Sequence, residues 1–200
     1  MKMKYVNKAD IKGEASMQSA LRVMTDRETV SAAGRVGGLD GEPMFDLIEL
    51  LFFAYRDFVG DPDRMLESIG FGRAHHRVLH FVNRQPGLTV AELLDILRIT
   101  KQSLSRVLKE LLDDGYVEQR AGVVDRRQRL LFPTARGQRL ALDLARLQSA
   151  RFSRALGELR PESKDMAIEF LLAMIDPEQR DGVARAVWRK PAAQAPGHRP

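Results

Sequence analysis

The sequence predicts a mostly α-helical fold with a small β-sheet of two or three strands. Apolar residues recur at helical spacing along most of the chain, and two short strand-like stretches, 116–121 and 127–132, flank a loop with glycine and arginine. Of the 200 residues, 44% are hydrophobic and 30% are charged, so there is enough apolar material for a core. We expect one domain with additional helices and loose ends.

The composition and the absence of several motifs exclude whole classes of protein. The chain has no cysteine, which excludes disulfides, thiolate zinc sites and iron–sulfur clusters. The N-terminus lacks the apolar core of a signal peptide, and the most apolar stretch, 45–59, is too short and too charged to span a membrane. No phosphate-binding loop or nucleophile motif is present. We therefore expect a cytoplasmic protein that is not an enzyme and needs no cofactor.

Positive charge is concentrated in the middle of the chain. Residues 73–139 contain 13 Lys and Arg against 7 Asp and Glu, a balance of +6, whereas the remainder has a balance of −1. Such a distribution is typical of a module that binds a polyanion. A basic face that is merely solvated explains the charge equally well.

The two ends of the chain are predicted to lie outside the core. Residues 1–42, which close with several glycines, are predicted to be a flexible extension with one short helix near 17–24, and residues 177–200 a flexible tail.

The outer helices are predicted to join two subunits. Residues 45–55 are apolar almost all the way round, so this helix must be covered on more than one side, and it should end at Asp61-Pro62-Asp63. Long apolar stripes recur after Thr134. We therefore assign 43–60 and 134–176 to dimerisation helices.

A helix-turn-helix pattern lies in residues 88–112. Thr89 and Glu92 have the spacing of a capping box at the start of a short helix, and Arg98-Ile99 makes a tight turn. Thr100 can cap the second helix, whose apolar residues form one stripe. Two short helices joined in this way are typical of DNA-binding proteins, and a plain helical hairpin is the alternative.

The polar face of the second helix predicts contacts with DNA. It combines short hydrogen-bonding side chains with cations, which suit base edges and phosphates. A merely solvated face usually has more glutamate and fewer serines, so we favour DNA binding. The predicted contact residues of this helix are Thr100, Lys101, Gln102, Ser103, Ser105, Arg106 and Lys109.

The strand-like stretches predict a wing beside this helix. Gly115 suits the left-handed position after the helix, and a hairpin follows it. Arginines at a hairpin tip can enter the narrow minor groove, and Asp125 would orient a nearby guanidinium group. The predicted contact residues of the wing are Asp125, Arg126 and Arg127. Together, residues 73–133 form a predicted winged helix-turn-helix lobe.

The wing resembles the signature of the MarR family of winged helix-turn-helix regulators, and the likeness covers residues 44–176. The family pattern is matched by Asp125-Arg126-Arg127, Leu130, Thr134, Gly137 and the stretches 88–93 and 115–117. The stretches 49–58, 70–79 and 99–104 are similar to the PetP-type subgroup. Pro133 departs from the pattern because it cannot donate to a ladder, so the strand should end one residue early.

The resemblance implies a homodimer whose two wings bind a palindromic operator, with a possible small-molecule effector. By analogy, an effector pocket would be lined by Phe52, Tyr55, Arg73 and His76, although core packing explains the aromatic residues equally well. His76 and His80 have a spacing that can share a metal ion, but no further ligand completes the set, so no metal site is predicted.

The predicted function is that of a dimeric, sequence-specific, DNA-binding transcription regulator. Two other hypotheses remain. A sequence-tolerant architectural protein would bind DNA through its phosphates. A protein-interaction module would keep the fold without binding DNA, and the intact polar face of residues 101–106 argues against it.

Overall fold

A computed structural model describes residues 43–122 and 125–189 of the chain. The described residues fall into two compact units, one of which is Phe45–Ser153 and the other of which contains residues 154–189. The prediction of a mostly α-helical fold with a small sheet is confirmed. The elements are α1 (Phe45–Glu67), α2 (Arg73–Arg84), β1 (Leu88–Thr89), α3 (Val90–Leu97), α4 (Lys101–Asp113), β2 (Val117–Ala121), β3 (Arg129–Pro133), α5 (Ala135–Gly157), α6 (Ser163–Ala173) and α7 (Pro177–Val187).

The core of the first unit consists of apolar side chains at the inner positions of its helices and strands. The apolar stripe of α2 is buried, and so is the stripe predicted on α4. Burial of one such side chain contributes about 1.5–3 kcal/mol to folding. The fully buried residues include Leu66, Val78, Leu79, Val82, Leu93, Leu104, Leu111, Leu131 and Leu144.

The sheet is antiparallel, in the order β1-β3-β2. β3 continues to Pro133, which pairs with Val117, so the prediction that the strand ends before Pro133 is wrong. The amide of Thr134 donates to the carbonyl of Tyr116 at 3.1 Å, which puts Pro133 at a position that is not hydrogen-bonded to β2. The missing amide of Pro133 therefore costs the β2–β3 ladder nothing.

Helix α1 continues past the point where the sequence predicted its end. Pro62 lies inside the helix and is buried, although a proline removes one helix hydrogen bond. The acidic residues on either side of it are anchored by arginines of other helices. Asp61 accepts from Arg151 at 3.0 Å, and Asp63 pairs with Arg73 at 2.8 Å. The helix therefore continues through this segment to Glu67, and the boundary at residue 60 is too early.

Helix α5 begins close to the turn between α4 and β2. Thr134 Oγ1 accepts from the amide of Gly137 at 3.1 Å and donates to the carbonyl of Gly115 at 2.7 Å. A Cβ atom at Gly137 would come within 1.9 Å of the carbonyl oxygen of Tyr116. The absence of a side chain at Gly137 therefore allows α5 to lie directly against the start of β2.

The second unit contains α6 and α7. The prediction of a flexible tail from residue 177 is wrong for its first part, since Pro177–Val187 is a helix. Asp176-Pro177 ends one helical segment and begins the next, because proline is well tolerated in the first helical turn. The remaining expectations for 1–42, including the short helix near 17–24, and for 190–200 lie outside the described residues.

Candidate nucleic-acid interface and neighbouring cavity

Hydrogen bonds stabilise the start of the helix-turn-helix and the turn between its two helices. The predicted capping box is present: Thr89 Oγ1 accepts from the amide of Glu92 at 3.2 Å, and Glu92 Oε2 accepts from the amide of Thr89 at 2.8 Å. Arg98 ends α3 in the left-handed region with φ 49°. Arg77 of α2 donates to the carbonyl of Leu97 at 2.8 Å, which ties the turn to the core.

The N-terminus of α4 is capped as predicted. Thr100 Oγ1 accepts from the amide of Ser103 at 3.2 Å and donates to Ser103 Oγ at 2.9 Å. Because the apolar stripe of α4 faces the core, the opposite side of the helix faces solvent. The exposed residues on that side are Lys101, Gln102, Ser103, Ser105, Arg106 and Lys109.

Three of the predicted contact residues of α4, Thr100, Ser103 and Lys109, already have partners in or next to the helix. Lys109 forms an ion pair with Asp113, and this hydrogen bond raises the pKa of Lys109. The hydroxyl of Ser103 accepts from Thr100. Neither interaction buries the polar side of α4, but DNA would have to compete with each of them for the same side chain.

The wing is formed by β2, β3 and the loop between them, and α4 packs against β2. Asp125, Arg126 and Arg127 are exposed at its tip, and residues 123–124 of the loop lie outside the described part. Arg120, lower on the hairpin, pairs with Glu118, and its guanidinium group lies 4.4 Å from the ring centre of Phe132.

The role predicted for Asp125 differs from the role that its contacts indicate. Its Oδ1 accepts from the backbone amide of Arg127 at 2.9 Å, and its carbonyl accepts from the amide of Gln128 at 3.1 Å. No ion pair joins Asp125 to an arginine among the described residues, because the carboxylate stabilises the backbone of the turn instead. It can orient Arg127 through the main chain.

A buried histidine of α2 contacts the exposed helix α4. His75 Nε2 lies 2.6 Å from Glu110 Oε2, and the amide of Gly72 donates to His75 Nδ1 at 3.1 Å. The ring stacks on Phe71, with centroids 4.4 Å apart and an interplanar angle of 4°. No local sequence pattern indicates this contact, since its partners are 35 residues apart.

The same helix α2 also borders a cavity of about 290 Å³. Tyr55, Arg73 and His76, three of the four residues predicted for an effector pocket, line this cavity. Phe52, the fourth, does not: it lies one turn earlier on α1 and is 69% exposed. Other lining residues were not predicted, among them Phe58 and Phe81 with aromatic rings and Arg77, His80 and Gln148 with polar groups.

The ionisable groups of the cavity differ in whether a partner offsets the effect of burial on their pKa. Asp63 raises the pKa of Arg73 through a hydrogen bond. Burial lowers the pKa of His76, and Asp63 only partly opposes this effect. Burial also lowers the pKa of His80, and the charges of His76 and Arg84 act in the same direction. Both imidazoles are thus biased toward their neutral forms.

The rings of His76 and His80 lie 6.5 Å apart between centroids, at an angle of 84°. Within the described residues, His, Asp and Glu side chains form no cluster that could hold a metal ion. None of the helices in 43–122 and 125–189 combines the length and the apolar character needed to cross a lipid bilayer.

Comparison with known proteins defines the class of this fold. The family model of the MarR family matches residues 69–128, which include α2, α3, α4 and much of the wing. The chain is also 48% identical over 133 residues to the HTH-type transcriptional regulator PetP of Rhodobacter capsulatus, an alignment that covers 66% of this chain and 80% of that protein. The chain therefore belongs to the MarR family of winged helix-turn-helix transcription regulators.

Solved structures show the same fold. A crystal structure of MarR matches with a TM-score of 0.54 and 19% identity, over 74% of this chain and 97% of that chain. FabT of Streptococcus pneumoniae, crystallised in complex with DNA, matches with a TM-score of 0.59 and 16% identity, over 66% of this chain and 94% of that chain. MepR of S. aureus, also in a DNA complex, has a TM-score of 0.54 and 17% identity, over 66% and 97% of the two chains.

Proposed function

We propose that this regulator is a homodimer that binds a palindromic DNA operator in the cytoplasm, with α4 in the major groove and the wing in the minor groove. The observation that carries this proposal is the exposed polar and cationic face of α4 beside an exposed arginine-bearing hairpin tip in the same unit. FabT and MepR, which share the fold, were crystallised with DNA.

Each contact residue has a role that follows from its chemistry. On α4, Arg106 and Gln102 suit bidentate contacts to bases, Lys101 and Lys109 suit phosphates, and Ser103 and Ser105 suit either kind of partner. Thr100 caps the helix next to the backbone of the DNA. On the wing, Arg126 and Arg127 enter the minor groove, and Asp125 holds the turn.

The exposed apolar side chains of α1 support a dimer. Single exposed apolar residues are normal on a protein surface, but a helix with this many marks an interaction site. On α1 they are Phe45, Leu47, Ile48, Leu50, Leu51, Phe52, Phe53 and Tyr55. The second unit exposes Leu159, Met166, Phe170, Leu171 and Met174. We propose α1, α5 and α6 as the dimerisation helices, residues 73–133 as the DNA-binding lobe, and a symmetric operator that matches the dimer.

The cavity beside α2 is the proposed effector site. Aromatic walls and basic or neutral polar groups suit a small organic molecule with an apolar body and an acidic group. Ligand-observed NMR with a panel of small carboxylic acids tests this. A binding signal that Tyr55→Ala removes and Leu142→Ala leaves supports the site, and equal signals with both variants exclude it.

A salt titration of DNA binding tests the proposed function. The full-length protein is compared on DNA from upstream of its own gene and on scrambled DNA of equal length. Binding to the natural DNA that is tighter by about a thousandfold or more supports sequence-specific regulation. Equal binding to both, with a steep salt dependence, supports the alternative of an architectural protein. No binding to either excludes both.

A further inference from the structure

We propose that His75 is a positioning residue for DNA recognition, because it holds the carboxylate of Glu110 away from Arg106 on the recognition helix. This inference rests on the proposed function of α4 in DNA binding. It assigns a role in recognition to a buried residue of α2 that does not itself touch DNA.

Both ring nitrogens of His75 are engaged. Since the amide of Gly72 donates to Nδ1, that nitrogen carries no proton, and the ring proton is on Nε2. Nε2 then donates to Glu110 at 2.6 Å, a short hydrogen bond of the charge-assisted kind. The His75 residue is 9% exposed and its ring is held flat against Phe71, so the direction of the ring is fixed.

Glu110 lies on α4 at a position from which its carboxylate can pair with Arg106. It follows Arg106 by four residues, the spacing at which a carboxylate and a guanidinium group on one helix meet. The side chain of Glu110 is 45% exposed, so it can reach the edge of the DNA-facing side. Without a partner in the core, Glu110 would both pair with Arg106 and place a negative charge near the phosphates.

The contact with His75 directs this carboxylate toward the core instead. Arg106 then keeps its donors for a guanine or a phosphate. The same hydrogen bond links α4 to α2 and limits rotation of the recognition helix about its axis.

Two substitutions of His75 separate its two hydrogen bonds. His75→Asn keeps an acceptor near the amide of Gly72 but is too short to reach Glu110. His75→Gln keeps a donor that reaches Glu110 but gives up the ring stack and the bond to Gly72. We expect His75→Asn to weaken binding to the natural upstream DNA about tenfold, which corresponds to the loss of one charge-assisted hydrogen bond. We expect His75→Gln to bind within about twofold of the wild type, because the bond to Glu110 is kept.

Neutralisation of Glu110 provides the decisive measurement. In the His75→Asn background, Glu110→Gln should restore affinity to the level of Glu110→Gln alone, since a neutral amide no longer sequesters Arg106. The control is Asp95→Asn in the same background, because Asp95 is exposed on α3 and its neutralisation removes one charge away from Arg106. Thermal unfolding of each variant shows whether it is folded.

The outcomes are distinct. Rescue by Glu110→Gln and not by Asp95→Asn supports the inference. Unchanged affinity of a folded His75→Asn variant overturns it, and so does a loss that Glu110→Gln does not restore, because that pattern indicates a purely structural role. A wild-type protein that binds no DNA overturns the proposed function and this inference together, whereas intact wild-type binding with either negative result overturns the inference alone.

Discussion

Adjacent residues of α2 have different surroundings. His75 contacts α4 through Glu110, whereas His76 and Arg73 line the cavity. Tyr55, Arg73 and His76 were expected at a pocket only by analogy with the MarR family. From local spacing, the sequence itself predicted the cap at Thr100. It did not predict the contact between His75 and Glu110, which depends on how two helices pack.

Arg127→Ala tests the wing. Loss of a guanidinium group from the minor groove should weaken operator binding by about 1–3 kcal/mol and leave the fold intact, since Arg127 is exposed. Fluorescence anisotropy with labelled operator DNA measures the change. Arg185→Ala, which removes another exposed arginine, from α7, is the matched control. Equal affinity of the two variants would exclude Arg127 from the interface.

The stability of the protein should depend on pH through His76 and His80. Burial lowers the pKa of both groups below the ordinary value of 6.5, so the unfolded chain takes up protons first as the pH falls. The free energy of unfolding should therefore decrease as the pH falls from about 7.5 to 5.5. Urea denaturation of the wild type and of a His76→Gln/His80→Gln variant measures this. An equally steep decrease in the variant would contradict the assignment to these two groups.

At the scale of elements, prolines account for the main differences between the predicted and the observed ends of helices and strands. Pro62 was expected to end α1, Pro133 to shorten β3, and Pro177 to mark the end of ordered structure. Each rule for proline is local, and each outcome depends on surroundings: burial for Pro62, the pairing position for Pro133, and the first helical turn for Pro177. The helices α3 and α4 were predicted well because their apolar periodicity agrees with their caps at Thr89 and Thr100.

Gly137→Ala tests the close approach of α5 to β2. The new methyl group would overlap the carbonyl oxygen of Tyr116, so backbone must shift, and we expect a loss of about 2–4 kcal/mol in the free energy of unfolding. Gly157→Ala, at the end of the same helix, meets no atom within 4 Å and should change stability by less than about 1 kcal/mol. Chemical denaturation of both variants makes the comparison, and similar midpoints would argue against the overlap.

At the scale of the whole molecule, the apolar surface of α1 is the feature that contacts within one described chain do not account for. The sequence predicted it from residues that are apolar on all sides of the helix, and the structure leaves many of them exposed. That apolar pattern calls for a cover on more than one side, but it does not distinguish a second subunit from another part of the chain, because periodicity records the apolar faces of a helix and not what lies on them.

A charged substitution on α1 tests the dimer. Leu50→Asp with Phe52→Asp should leave the protomer folded, because both residues are exposed, but should dissociate the dimer and weaken operator binding. Analytical ultracentrifugation gives the mass. Ile69→Ser, which changes an exposed apolar residue in the turn after α1, is the control and should remain dimeric. A wild type that sediments as a monomer would contradict the proposed dimer.

Helix α2 contacts α4 on one side and borders the cavity on another, and this arrangement has a thermodynamic consequence. If occupation of the cavity moves this helix and thereby changes operator affinity by some factor, the operator must change ligand affinity by the same factor. The affinity measured for a ligand with free protein then differs from its affinity for protein on DNA. If the ligand weakens operator binding, a higher ligand concentration is then needed to release protein from the operator than to fill the cavity of free protein.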